Sequence, residues 1–311
     1  MPINSSYIKR HCPICNNNDE VMPHRVVSKI KAEDLLFNEL IDKWTGFFKE
    51  KVFFSYSRCK KCNLLFSSAY FNKEQLKKLY SRMPQNMSTV VNNECLIRTH
   101  RGYYAVSRQY GLPGGDYLEI GPDTGMFIDS CLKNGNLKKL YLYEPNRLVW
   151  KSLEDKLRGV DYYLSGEMSG FRDIPDNSIS SAVMIHVLDH LVDPVNTLES
   201  IRDKLREKGI IVIVTHDESS LLAKLTSNRW PAYCLQHPQI FNRDSMKRML
   251  LKAGYRILRT KKTVNYFSIK FILDNILWMF NFNNNMNIPV FKTFNIPLKL
   301  GNIITIAVPN K

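Results

Sequence analysis

The sequence predicts an α/β fold, in which an open parallel sheet is preceded by a small cysteine-rich module. Three observations support this class. Short apolar runs alternate with helical patterns from Asp116 onward, as in sheets whose parallel strands are joined by helices. Two Cys-x-x-Cys pairs lie within the first 62 residues. A Pro-Gly-Gly break at residues 113–115 precedes the first strong strand pattern.

A length of 311 residues permits one large domain or two smaller ones, and these breaks predict two. A metal-binding module is expected over residues 1–82, and an α/β domain over residues 83–311. Within the second part, residues 83–115 form a helical lead-in. Residues 261–301 form a long insert between the last two strands.

The two cysteine pairs, Cys12 with Cys15 and Cys59 with Cys62, predict a structural Zn²⁺ site. Two residues between cysteines let both thiolates face one point, and two such pairs place four sulfurs at tetrahedral corners. Four thiolates leave no open coordination position for catalysis. A redox dithiol and ordinary buried cysteines are the alternatives, but neither accounts for two pairs. The odd total of seven cysteines argues against a disulfide framework and favours a reducing, cytoplasmic location.

Helices are expected on both sides of the second cysteine pair, because residues 31–43 and 72–80 carry helical patterns. In the second part, Asp193-Pro194 and the apolar spacing after Arg243 predict helices over residues 194–205 and 243–253. The Asn-rich residues 281–287 predict a loop. The predicted strands are 117–120, 139–143, 181–185, 210–215, 255–260 and 302–308.

The turn after the first of these strands has the composition of a cofactor-binding loop. Gly121 allows a sharp turn and close approach of a ligand, and Gly125 allows the following helix to pack closely on the strand. Asp123 lies between them, and Asp tolerates the left-handed conformation better than most residues. Glu144 ends the second strand, where an acid can hold both ribose hydroxyls of an adenosine-bearing cofactor. Glu119 before the turn would repel a pyrophosphate but attract the ammonium of a methionyl group, which favours S-adenosylmethionine (SAM) over NAD.

These residues carry a family resemblance. Together with residues 187–194 and 208–212, they resemble the successive motifs of class I SAM-dependent methyltransferases. With the cysteine pairs in front, the chain is similar to bacterial methyltransferases that carry an N-terminal zinc ribbon. That group includes enzymes acting on nucleotide sugars and surface polysaccharides. The resemblance implies a Rossmann-like class I methyltransferase sheet.

The resemblance also implies roles for several single residues. Glu167 and Met168 are the candidates for the family's adenine-side position, and His186 is expected at the edge of the cofactor. Tyr103 and Tyr104 lie where related enzymes place a residue over the methionyl end, with helix packing as the alternative. Because an oxygen nucleophile gains from a general base, histidines at the strand ends are the candidate catalytic residues. His190 and His237 rank first and His216 second. For each of these histidines, a satisfied structural histidine is the alternative.

The charge balance favours an anionic acceptor. Lys and Arg total 44 against 29 Asp and Glu, for a net charge of +15. The expected reaction is methylation of an oxygen or nitrogen on a small anionic or nucleotide-linked acceptor, a sugar or surface-polysaccharide precursor. The first alternative is an rRNA or tRNA methyltransferase with an N-terminal zinc site. Against nucleic acid, the basic residues are spread along the chain and no base-stacking motif is found. The second alternative is a non-catalytic binding protein on a methyltransferase scaffold.

The apolar residues 266–280 in the insert have several interpretations. Lys270 and Asp274 exclude a simple membrane span. Packing within the fold, a dimer contact, a cover over the active site and contact with a membrane surface remain open. The last would add peripheral association with the inner membrane surface to a cytoplasmic protein. The composition does not specify an oligomeric state.

Overall fold

A computed structural model of the chain describes residues 7–17, 19–44, 51–81, 83, 91–111, 114–168, 170–279 and 295–310. The strands are β1 (Ile8–Lys9), β2 (Val21–Pro23), β3 (Ile30–Lys31), β4 (Val52–Phe53), β5 (Tyr56–Cys59), β6 (Leu65–Ser67), β7 (Ala69–Tyr70), β8 (Gly115–Ile120), β9 (Leu137–Tyr143), β10 (Asp161–Ser165), β11 (Ile179–Ile185), β12 (Leu205–His216), β13 (Gln239–Ile240), β14 (Tyr255–Lys262), β15 (Asn265–Ser268), β16 (Asn295–Leu298) and β17 (Asn302–Pro309). The α-helices are α1 (Phe37–Leu40), α2 (Lys73–Ser81), α3 (Asn93–Arg108), α4 (Met126–Asn134), α5 (Trp150–Lys156), α6 (Pro194–Lys204), α7 (Leu221–Thr226), α8 (Arg243–Lys252) and α9 (Ile269–Met279).

A seven-stranded sheet in the order β10-β9-β8-β11-β12-β17-β14 forms the centre of the molecule. The first five strands in this order pair in parallel. Strand β17 lies between β12 and β14 and is antiparallel to both. The α/β class is confirmed, and the predicted parallel sheet contains one antiparallel strand, β17. The chain leaves β14 at the carboxyl edge of the sheet and re-enters from that edge, so β17 runs in the opposite direction.

Both faces of the central sheet are buried, which explains the continuous apolar runs in its strands. Leu118, Met184 and Ile213 face one hydrophobic cluster. Their neighbours Tyr117 and Val183 face a second cluster on the other side. Alternate residues of each strand therefore supply two separate cores, as the two-residue period of a strand requires.

The predicted helices agree with α2, α6 and α8 to within one or two residues. Asp193 caps α6 by accepting a hydrogen bond from Asn196 N at 3.2 Å, with Pro194 in the first turn, as predicted. Residues 31–43 are not one helix, because Lys31 belongs to β3 and two 3₁₀ turns flank the short α1. Strand β10 is absent from the sequence prediction; it is a partly exposed edge strand without a strong apolar signal. The loop predicted over residues 281–287 lies outside the described residues.

The cysteine-rich part and the sheet domain share secondary structure and core. Strand β13 comes from the second part of the chain and pairs antiparallel with β6 of the first part. Phe66 of β6 packs in the same hydrophobic cluster as Phe241 and Met246. The domain boundary at residue 82 stays a prediction, while the contacts fix the position of the first part against the sheet.

The insert between β14 and β17 contains a two-stranded ribbon of β15 and β16, together with α9. Its base packs on α3, where Asn265 donates a hydrogen bond to Tyr103 Oη at 2.9 Å and Tyr266 N donates to Thr99 Oγ1 at 2.8 Å. Within the described residues, no helix is both long and apolar enough to cross a membrane. Membrane contact by residues 266–280 stays a prediction.

Candidate active site at the carboxyl edge of the sheet

Four predicted site residues lie where adjacent parallel strands end. Gly121 follows β8, Glu144 follows β9, His186 follows β11, and His216 ends β12. Because these strands are parallel neighbours, all four residues lie at one edge of the sheet. The chain order reverses between β8 and β11, and open α/β sheets bind ligands in the crevice at such a reversal.

The glycine turn has the conformation that its sequence predicts. Gly121, Asp123 and Gly125 have φ values of +66°, +50° and +76°. A Cβ added to Gly121 would lie 2.6 Å from Val187 Cγ2, and one added to Gly125 would lie 2.8 Å from Leu153 Cδ1. The turn therefore needs glycine for both its backbone and its close packing. Asp123 takes the left-handed conformation, as expected for the residue at this position.

The two predicted acids are buried beside this turn. Glu144 accepts hydrogen bonds from Asp123 N at 2.9 Å and from Asn146 N at 2.8 Å, so it holds the turn as well as the end of β9. Glu119 accepts a hydrogen bond from the Tyr117 hydroxyl at 2.7 Å. Burial raises the pKa of Glu119 to about 8 and that of Glu144 to about 7.

The remaining predicted cofactor residues lie around the same edge. Tyr104 on α3 is buried and packs edge-on against Phe127, two residues after Gly125, with ring centroids 6.2 Å apart. Met168 follows β10 and is 43% exposed. Thr124 within the turn has a buried Oγ1 with no hydrogen-bond partner among the described residues, so it is available to a ligand.

The histidines named by the sequence come together as a row, which we call the histidine row: His186, His216, His237 and His190. Neighbouring ring centroids in the row are 4.7 Å apart. These residues come from the ends of β11 and β12, from the turn after β11, and from the loop before β13. The row therefore collects residues from segments that are distant in the sequence.

One end of the row is a continuous chain of hydrogen bonds. The Tyr80 hydroxyl on α2 lies 3.3 Å from His190 Nδ1. His190 Nε2 lies 3.1 Å from His237 Nε2, and His237 Nδ1 lies 2.7 Å from Ala232 O. Because a carbonyl oxygen only accepts, His237 Nδ1 carries a proton. One further proton lies between the two facing Nε2 atoms, so the chain can pass a proton between His190 and His237.

The other end of the row contains a buried carboxylate. Asp189 Oδ2 lies 2.6 Å from His216 Nδ1 and accepts a hydrogen bond from His216 N at 3.0 Å. This arrangement places the proton of His216 on Nδ1 and leaves Nε2 free. Among the three candidate catalytic histidines, His190 and His237 have hydrogen-bond partners at both ring nitrogens, whereas His216 has one at Nδ1.

The pKa values of the four histidines in the row do not all shift in the same direction. Burial lowers the pKa of His186 to about 3, and it also lowers the pKa values of His190 and His216. For His237, burial acts in the same direction, but the nearby Cys234 thiolate outweighs it and raises the pKa to about 9. For Asp189, burial opposes ionisation, but the hydrogen bond from His216 prevails and lowers the pKa to about 2.

The four cysteines of the predicted metal site also converge. Their sulfur atoms all lie within 4.8 Å of one another. Cys12 Sγ is 3.3 Å from Cys62 Sγ, and Cys15 Sγ is 3.4 Å from Cys59 Sγ. Tetrahedral zinc, with Zn–S bonds of about 2.3 Å, places its sulfurs about 3.8 Å apart. The donor set and its spacing therefore fit Zn²⁺, and the prediction that the two pairs meet is confirmed.

Sequence reasoning missed two residues of the site. Tyr80 was part of a predicted amphipathic helix, and its contact with His190 spans 110 positions in the chain. Asp189 was part of a motif without an assigned role, although it is fully buried against His216. Local patterns carry no signal for Tyr80. A signal for Asp189 was available: it is an acid in the turn after β11, and His216 ends the next strand of the sheet.

A family profile described as a methyltransferase domain matches residues 98–260, which include the glycine turn and the whole histidine row. The chain belongs to this methyltransferase family. Its fold is the Rossmann-like class I methyltransferase fold, and the protein is a SAM-dependent methyltransferase. No curated protein matches the chain.

Solved SAM-dependent methyltransferases from three organisms are similar to this methyltransferase. The enzyme from Thermotoga maritima is 18% identical with a TM-score of 0.44, and the match covers 70% of this chain and 94% of that one. The enzyme from Aquifex aeolicus is 14% identical with a TM-score of 0.44, covering 76% and 98%. The enzyme from Leishmania major is 14% identical with a TM-score of 0.48, covering 75% and 81%.

Proposed function

We propose that this enzyme methylates a hydroxyl or amine of a small anionic acceptor, a nucleotide-linked sugar or a surface-polysaccharide precursor. The observation that carries the proposal is the hydrogen-bonded chain from Tyr80 through His190 to His237 at the carboxyl edge of the sheet. A chain of this kind accepts the proton that a hydroxyl loses on methylation. The reaction otherwise depends on alignment of the acceptor with the methyl group.

The cofactor side of the proposal rests on the glycine turn and its two acids. SAM supplies an electrophilic methyl group when bound. Gly121 lets the turn backbone approach the ligand, and the remaining lone pairs of Glu144 are placed for the ribose hydroxyls. Glu119 would meet the methionyl ammonium. The buried Thr124 Oγ1, which has no partner among the described residues, supports the fit.

Other cofactor contacts follow from position. We assign Met168 to the adenine side of the cofactor and Tyr104 to its methionyl end. Asp123 belongs to the turn against which the cofactor lies, and His186 lies at the edge between cofactor and acceptor. Gly125 serves through close packing of α4 on α5 rather than through contact with the ligand.

The acceptor side is formed jointly by the two parts of the chain. Tyr80 comes from the first part, and the loop that carries His237 is held by it: the Tyr56 hydroxyl donates to His237 O at 2.6 Å, and the Tyr70 hydroxyl donates to Leu235 O at 2.9 Å. A zinc ion held by Cys12, Cys15, Cys59 and Cys62 would stabilise this part. We therefore propose a structural role for zinc, acting on the position of Tyr80 and His237.

The charge and enclosure of the site support a small anionic acceptor. The net charge of +15 favours acceptors that carry phosphate. Trp230 and Tyr233 beside the row are buried, with ring centroids 5.3 Å apart, and Trp230 stands edge-on to His216. These rings narrow the space at the row, which suits a single sugar hydroxyl better than a structured RNA.

Two measurements test the function. Calorimetry should detect binding of S-adenosylhomocysteine to the full chain, and Glu144→Ala should weaken it. Methyl transfer from labelled SAM should then be assayed on a panel of nucleotide sugars and on total RNA. Transfer to the sugars supports the proposal. Label in RNA alone, with salt-dependent RNA binding, would replace it with a nucleic-acid methyltransferase.

Variants test the proton-accepting chain separately. Tyr80→Phe and His190→Gln should lower kcat by about 10²- to 10⁴-fold, the range for loss of general-base catalysis, without weakening S-adenosylhomocysteine binding. Tyr162→Phe is the matched control, because Tyr162 is an exposed tyrosine on the edge strand β10. Equal kcat values for Tyr80→Phe and Tyr162→Phe would refute the role of Tyr80.

A further inference from the structure

The Asp189 end of the histidine row contains an unexplained triad. His186, Asp189 and His216 each offer one ligand atom, and these atoms all lie within 4.8 Å of one another. The three residues come from the end of β11, the turn after it, and the end of β12. Two imidazoles and one carboxylate are a ligand set used for divalent first-row transition metals, with coordination positions left open.

Two atoms of the triad are buried without a partner. Asp189 Oδ1 and His186 Nδ1 have no hydrogen-bond partner among the described residues. Asp189 is fully buried, and an unpaired oxygen on a buried carboxylate is costly. A metal ion coordinated by these two atoms would satisfy both, whereas the proton shared by Asp189 and His216 satisfies neither.

The backbone of the triad supports the same conclusion. His186 has a φ of +54°, a left-handed conformation that is uncommon for residues other than glycine. Such strain persists where surrounding structure imposes it, and it concentrates at functional sites. This backbone leaves the His186 ring beside that of His216, with the ring centroids 4.7 Å apart and the planes tilted by 43°.

We propose that His186, Asp189 and His216 bind a divalent first-row transition metal, distinct from zinc at the cysteine tetrad. Metal–ligand distances of about 2.0–2.2 Å place the ligand atoms of a tetrahedral site about 3.3 Å apart. The ligand atoms of the triad lie within 4.8 Å of one another, and Asp189 Oδ2 and His216 Nδ1 are 2.6 Å apart, so their separations bracket this spacing. Three protein ligands leave a fourth position for water or an acceptor oxygen, as in catalytic rather than structural sites.

The site lies between the glycine turn and the proton-accepting chain. Val187, next to His186, packs against Gly121, and the His216 ring lies beside the His237 ring with centroids 4.7 Å apart. A metal there would hold an acceptor oxygen and lower its pKa. Metal binding at the triad does not depend on the proposed acceptor, so it can be tested without any activity assay.

The test counts metal ions on the full chain. Protein expressed in zinc-supplemented medium and purified without chelator should hold two zinc ions per chain by elemental analysis. His186→Gln should hold one, and so should Cys59→Ser, whereas His24→Gln, a histidine outside both clusters, should keep two. His186→Gln leaves the Asp189–His216 hydrogen bond in place, which makes it the milder ligand variant. Asp189→Asn is the second.

Cobalt(II) substitution distinguishes the two sites. The cysteine tetrad should give intense sulfur-to-cobalt charge-transfer bands, and the triad should give only weak visible bands, which His186→Gln abolishes. One metal per wild-type chain, with the sulfur bands alone, would overturn the proposal. Two metals in His186→Gln and in Asp189→Asn would overturn it as well, because the second ion would then lie elsewhere.

Discussion

Replacing Glu119 with glutamine should change how the stability of the protein depends on pH. Glu119 is 2% exposed, and its carboxyl group contacts the Tyr117 hydroxyl. Burial raises its pKa from 4.5 to about 8 in the folded protein. The folded state therefore holds this proton more tightly than the unfolded state. The associated stability is fully present below pH 4.5 and is lost as the pH rises through about 8.

The magnitude follows from the size of the shift. One pKa unit corresponds to about 1.4 kcal/mol. Through this group, the free energy of unfolding of the wild type should therefore decrease by about 2.5 kcal/mol between pH 5 and pH 7. Glutamine does not titrate, and its amide oxygen can still accept the hydrogen bond from Tyr117. Glu119→Gln should therefore be close to wild type in stability at pH 5 and more stable at pH 8. Glu144 titrates in both proteins, and its charge adds to the raised pKa of Glu119 only in the wild type.

Urea unfolding of both proteins at pH 5, 6, 7 and 8 measures this difference. A constant stability gap across that range would refute the reasoning about Glu119.

Cofactor binding provides a second test, because the methionyl ammonium favours the carboxylate form of Glu119. Binding of S-adenosylhomocysteine at pH 7 should release protons from the wild type but fewer from Glu119→Gln, measured by calorimetry in two buffers of different ionisation enthalpy. Equal proton release would remove Glu119 from the proposed cofactor site and leave the stability prediction intact.

Three further predictions concern the turn, the contact between the two parts and the metal tetrad. Gly121→Ala should cost about 2–4 kcal/mol, from its positive φ and its close approach to Val187. Gly159→Ala, where φ is also positive but the space is open, should cost only about 1 kcal/mol in urea unfolding. Equal losses of stability in the two variants would show that the close approach of Gly121 to Val187 contributes nothing. Arg10→Met should destabilise by about 3 kcal/mol, because the buried guanidinium bonds carbonyl groups from both parts of the chain; a Tm unchanged from wild type would contradict this. Cys59→Ser should release the tetrad zinc and lower the Tm, and retention of that zinc, measured with a metallochromic dye, would exclude the tetrad as its site.

The sequence by itself determined the local features. Gly121, Gly125 and Asp123 adopt the backbone that their side chains allow, and Asp193 caps its helix, because these preferences depend on neighbours within a few residues. The alternation of apolar runs with helical patterns likewise predicted the α/β class.

Features that depend on contacts between distant segments were decided by the tertiary structure. The direction of β17 depends on the edge at which the chain re-enters the sheet, and no local pattern encodes that edge. Tyr80 reaches His190, and Asp189 reaches His216, only because the strand order brings their segments together. The sequence named the histidines. Their arrangement as a row, with a proton-accepting chain at one end and a carboxylate at the other, follows from the packing of the first part of the chain against the edge of the sheet.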